Sequence, residues 1–117
     1  MNENMIYIGN AFSINMISSE KDNVIINFQK IGLDEFCDAV RKGKSVIGHP
    51  ATAELVAKIC NVNEDLFNRE AITINENDTL YVISIRERLP EGKILNYEEL
   101  LQKMSEGKIQ FYKIKML

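Results

Sequence analysis

The sequence predicts an α/β fold: a single domain with a mixed β-sheet packed with about three α-helices. Short β-branched and aromatic runs recur between Gly, Asn and Pro residues, as in Met5–Ile8 and Leu80–Ile85. Between them lie stretches whose apolar residues return every three or four positions, the period of an amphipathic helix. The length of 117 residues suits one hydrophobic core and no second, so residues 1–117 are expected to form one domain.

The elements follow in order. Met5 to Ile8 is the first strand, closed by Gly9-Asn10, and a polar-apolar stretch from Ala11 to Met16 leads to the turn-rich Ser18–Asn23. Val24 to Phe28 is the second strand. Leu33, Phe36, Cys37 and Val40 have the i, i+3, i+4, i+7 spacing of a helix over 33–42, which Gly43 ends. Ser45 to Ile47 is a short strand. Pro50 then opens a helix through Ala51–Cys60, since proline suits the first helical position. Asn61 to Arg69 is a polar connector. Ala71–Ile74 and Leu80–Ile85 read as two strands joined by a hairpin turn at Asn75–Asp78. Arg86 to Lys93 is a charged turn. Asn96 caps a helix from Tyr97 to Ser105, with Glu98 and Glu99 favourable in its first turn, and Ile109 to Met116 is the last strand. About six strands in mixed order with three helices give the α/β assignment.

Composition narrows the function. Hydrophobic residues make up 45% and charged residues 26%, which is ordinary for a soluble globular protein. No signal-peptide pattern and no apolar run of membrane-spanning length is seen, so a cytoplasmic protein with no membrane partner is expected. The net charge of −3 argues against salt-driven binding to DNA or RNA. Cys37 and Cys60 sit beside apolar helix neighbours and are expected to be buried free thiols. One histidine and two distant cysteines show no zinc-ligand spacing, so neither a metal nor a cofactor is expected.

His49, the only histidine, lies where the apolar run Val46-Ile47-Gly48 meets the helix start at Pro50. That is the carboxyl end of a strand and the amino end of a helix, where α/β proteins usually bind ligands and helix N–H groups favour anions. An imidazole ordinarily changes charge near neutral pH and exchanges a proton at little cost. A histidine satisfied by a loop carbonyl is the bland alternative. Two further segments place polar groups at predicted strand ends: Asn10, Ser13 and Asn15 after the first strand, and Arg86–Lys93 after the fifth. The first group can equally close Asx-type turns, and the second can be a solvated turn. Together they supply the needs of acid–base chemistry on a phosphodiester. Arg88 offers a planar fork of donors for phosphate, His49 a proton for a departing alkoxide, and Glu91 a carboxylate to orient a hydroxyl or tune the imidazole. Asn10, Ser13 and Asn15 can fix sugar and phosphate oxygens.

Asn10–Met16, Ile47-Gly48-His49, Asn68-Arg69, Leu80-Tyr81-Val82 and Arg88–Lys93 together resemble a family of small viral and mobile-element proteins once catalogued as a domain of unknown function. The studied viral members are anti-CRISPR ring nucleases. The likeness runs from Tyr7 to the final strand. It implies a homodimer that binds cyclic tetra-adenylate, the second messenger of type III CRISPR defence, and cuts it without metal into linear di-adenylates. The ribose 2′-hydroxyl would attack its own phosphate and leave a 2′,3′-cyclic phosphate. The resemblance gives His49 the role of general acid for the leaving 5′-oxygen, and Arg88 and Glu91 that of holding phosphate and ribose. It places Gly48, Asn10, Ser13 and Asn15 in the pocket and Arg69 on a loop that closes over the ligand. Ser84 departs from the pattern, since the family often has glutamine there, and a shorter side chain reaches less far. A ring of four identical nucleotides also suits a two-fold dimer presenting two His49 side chains. Two other readings remain: a non-catalytic dimer that sequesters a cyclic nucleotide or contacts a protein partner, and a nucleic-acid-binding regulator of a mobile element, which the acidic balance weakens.

Overall fold

A computed structural model describes residues 4–117. The elements run β1 (Ile6–Gly9), β2 (Ile26–Ile31), α1 (Leu33–Lys42), β3 (Lys44–Ser45), α2 (Pro50–Ile59), β4 (Thr79–Ile85), α3 (Tyr97–Ser105) and β5 (Ile109–Met116), with a 3₁₀ turn at Ile14–Met16. The five strands form one mixed sheet in the order β2-β5-β4-β1-β3. β1 is parallel to both neighbours, pairing Tyr7 with Lys44 on one side and with Leu80 on the other. β5 is antiparallel to β4 and β2, with Ile114 opposite both Leu80 and Phe28. The expected α/β class with three helices holds.

The three helices contribute to one core on one face of the sheet. Phe36 and Val40 of α1, Leu55 and Val56 of α2 and Leu100 of α3 bury with Ile8, Ile83 and Phe111 of the strands. Phe36 and Phe111 meet with ring centroids 4.6 Å apart. The opposite face carries a smaller core of Ile74, Leu80, Val82 and Ile114, covered by Phe12, Met16 and Ile72 from connecting segments. Because both faces are partly covered, β5 buries residues of both parities (Phe111, Ile114, Met116), which is why its alternation is imperfect. Gly43, after α1, is a close-approach glycine: a Cβ there would lie 2.7 Å from Cγ2 of Ile6 and 2.8 Å from its carbonyl oxygen.

Five expectations need correction. The second strand runs Ile26–Ile31, not Val24–Phe28. Ala71–Ile74 is not a strand: Ile72 and Ile74 lie against the smaller core, so their apolar character reflects packing rather than pairing. Consequently Asn75–Asp78 is no hairpin; it is a turn leading into β4, and among the described residues the sheet has five strands, not six. The strand at Ser45–Ile47 is shifted and shortened to Lys44–Ser45, beyond which Ile47 makes a single parallel bridge to Phe67. Cys37 and Cys60 are not free thiols but a disulfide, buried to 5% and 1% exposure. Cys37 of α1 meets Cys60, the residue just past the end of α2, with their Cα atoms 5.1 Å apart.

Candidate functional site

The parallel strands β1, β3 and β4 direct their carboxyl ends to one side of the sheet. Asn10, the Val46–His49 segment and Arg86–Glu87 therefore emerge together. The chain after β3 stays in register, since the Val46 amide donates to the Ile8 carbonyl at 2.7 Å. The Gly48 amide donates to Oδ1 of Asn10 at 3.1 Å, and the Gly48 carbonyl accepts from the Arg69 guanidinium at 3.1 Å. Asn10, Gly48 and Arg69, predicted from three separate segments, thus form one hydrogen-bonded chain beside His49. The connector bearing Arg69 is held by the Asn68 amide on the Ile47 carbonyl and by Nδ2 of Asn68 on the Ser45 carbonyl.

His49 is the N-cap of α2, with Pro50 at the first helical position, and its side chain makes no capping bond. Its imidazole is exposed and makes no hydrogen bond or ion pair among the described residues. The start of α2 supplies partial positive charge beside it.

A cavity of about 600 Å³ opens at this place. Asn10, His49 and Thr52 form one wall, Ser84 the end of β4, and Glu87, Leu89 and Lys93 the segment that follows. Its inner wall is apolar, with Leu55, Ile83, Leu95 and Leu100.

Of the nine residues picked from sequence, Asn10, His49 and Ser84 line this cavity. Gly48 and Arg69 adjoin it through the Asn10 bond. Arg88 and Glu91 are exposed on the segment whose neighbours Glu87, Leu89 and Lys93 line it, and neither makes a polar contact among the described residues. Ser13 and Asn15 stand apart: Oγ of Ser13 accepts from the Asn15 amide at 3.2 Å and caps the 3₁₀ turn. Thr52, Glu87 and Lys93 were not singled out. The last two belong to the charge run already noted, and Thr52 sits one turn past His49 on the same helix end. No three His, Cys, Asp or Glu side chains among the described residues are grouped as a metal site.

Electrostatically the mouth is mixed. The Glu87 carboxyl is held below its ordinary range by hydrogen bonds from Lys103 first and then Lys108. Glu99 is lowered by the Lys93 ammonium and the Asn96 amide, and Glu70 by Lys44 and Asn68. The Tyr81 hydroxyl is pushed up, chiefly by burial and secondarily by the Glu35 charge. The arrangement can bind an anion at a helix start, offer it an exposed imidazole, and bury an apolar group beside it.

Comparison with known proteins gives a consistent picture. The family described as STIV B116-like matches over residues 6–113. An uncharacterized protein, ORF116 of Acidianus filamentous virus 1, is 32% identical over 108 residues, 91% of this chain and 90% of its own length. Uncharacterized protein 26 of a Sulfolobus islandicus filamentous virus is 28% identical over 102 residues, covering 86% and 84%. Among solved structures, B116 of Sulfolobus turreted icosahedral virus superposes with a TM-score of 0.73 at 32% identity, covering 95% of this chain and 98% of that one.

Proposed function

The chain belongs to the STIV B116-like family, and on that premise we propose that it is a metal-independent ring nuclease that cleaves cyclic tetra-adenylate to linear di-adenylates and so antagonises type III CRISPR signalling. The observation that carries this reading is the convergence of His49, Asn10 and Ser84 on one cavity at the carboxyl ends of parallel strands. The helix start and the adjoining Arg69 and Arg88 suit phosphate, and the apolar wall suits the face of a base. In the reaction the ribose 2′-oxygen bonds to phosphorus and the bond to the 5′-oxygen breaks. His49 protonates that leaving oxygen, while the 2′-hydroxyl proton passes to solvent. Glu91 and Arg88 bear on ribose and phosphate from the segment at the cavity mouth. A homodimer suits the ring, since each chain supplies one histidine and the substrate has matching opposite phosphates.

The decisive experiment is incubation of the purified protein with cyclic tetra-adenylate in EDTA, followed by product analysis. Linear di-adenylate with a 2′,3′-cyclic phosphate end supports the proposal. A ring held intact through long incubation in excess substrate makes the protein a sequestering binder instead. Activity that vanishes with chelator and returns with metal overturns the metal-independent mechanism.

A further inference from the structure

We propose that two ion pairs to α3 latch the segment bearing Arg88 and Glu91 into an arch at the cavity mouth, making Glu87, Lys93, Glu99 and Lys103 positioning residues. The consequence for ring capture rests on the ring-nuclease reading; the latch itself does not. Glu99 and Lys103 are four residues apart on α3 and so share a face, about 6 Å apart along the axis. Lys103 pairs with Glu87, whose carboxylate also takes Nζ of Lys108 at 3.1 Å. Glu99 receives Nζ of Lys93 at 2.9 Å while its other oxygen accepts from the Asn96 amide at 3.1 Å, closing the capping box of the same helix.

Stretched out, residues 87–93 would reach about 20 Å. Their side chains are held by α3 residues only one turn apart, so the segment must arch. The turn from Pro90 to Lys93 makes the bend, with the Lys93 amide on the Pro90 carbonyl at 3.0 Å and Gly92 at φ +79°. Leu89 points into the core as the arch's inner anchor, and Arg88 and Glu91 are left on the outside. The charge order fixes register as well. Arch and helix both run minus to plus along the chain and pair in antiparallel order, Glu87 with Lys103 and Lys93 with Glu99, so exchanging the partners would set like charges together.

The test uses Lys103, which does not line the cavity, and reads the ligand-free protein first. In Lys103→Met, exchange of the Lys93 amide, whose bond to the Pro90 carbonyl closes the bend, should quicken about two- to fivefold, the range of a partly exposed ion pair, while β4 and β5 amides stay as in wild type. KM for cyclic tetra-adenylate should rise by a similar factor with kcat little changed, and Lys103→Arg should restore both. Unchanged exchange of the Lys93 amide in folded Lys103→Met overturns the latch, as does equal quickening throughout the core. A loosened Lys93 amide in the variant, with a wild type that neither binds nor cuts the ring, supports the latch and overturns the ring-nuclease reading.

Discussion

Asp78 is buried to 3% exposure because its carboxylate serves two backbone amides: Oδ1 accepts from Met5 at 3.1 Å and Oδ2 from Asn75 at 2.9 Å. It ties the entry of β1 to the turn before β4. Asp78→Ala leaves both donors without that partner and should lower unfolding free energy by about 1–3 kcal/mol, measured by urea denaturation. At the site, general-acid help is worth about 10²–10⁴ in rate. If the proposed ring cleavage is the function, His49→Ala should slow it by that order yet still bind the ring, whereas Arg88→Ala should weaken binding too; filter binding and single-turnover kinetics separate them. Loss of binding without loss of turnover in His49→Ala would overturn its role as the acid. His49 was legible in the sequence because a lone imidazole between a strand and a proline-led helix has few places to go. Asp78 was not, because an aspartate in a polar turn looks the same whether it faces water or caps buried amides. Ser13 shows the same ambiguity, with its Oγ accepting from the Asn15 amide at 3.2 Å.

Elements bounded by their own caps were read closely. α1 ends at Gly43, α3 opens on the Asn96 capping box, and β5 follows Gly107, so each carries its limits locally. Elements decided by tertiary contact were not. Ala71–Ile74 has strand composition but finds its place over the second sheet face, and β3 is cut short where the 61–70 connector takes over its partners. The disulfide was equally hidden, because 23 residues of separation say nothing about which helix faces meet. Cys37–Cys60 encloses β3, His49 and all of α2 in one covalent loop. A loop of that length is worth about 3 kcal/mol in the chain-entropy account. The double variant Cys37→Ser/Cys60→Ser should therefore melt well below the oxidised wild type. Two thiols titrating in unfolded, unreduced wild type would show the bond is absent.

Across the whole molecule, the ion pairs make stability depend on acidity in a definite direction. Glu87, Glu99 and Glu70 have folded pKa values below the ordinary glutamate value. Their contribution is complete above the unfolded value and is lost as pH falls through the lowered folded value. Melting temperature should hold from neutrality to the ordinary carboxylate range and drop below it, and Glu87→Gln should show a shallower drop. An acid limb equally steep in Glu87→Gln would remove Glu87 from this account. The strand order has a temporal consequence as well. β1 is made first yet sits inside the sheet, and its β4 partners lie more than 70 residues downstream. β2 waits longer still, for the final strand. The nascent chain can therefore hold helices and the short β1–β3 contact, but the sheet closes only when the last strand arrives. Such distant pairings favour assembly in milliseconds to seconds rather than microseconds. Only finished chains therefore carry the closed sheet and the cavity at its edge, with partial translation products contributing none.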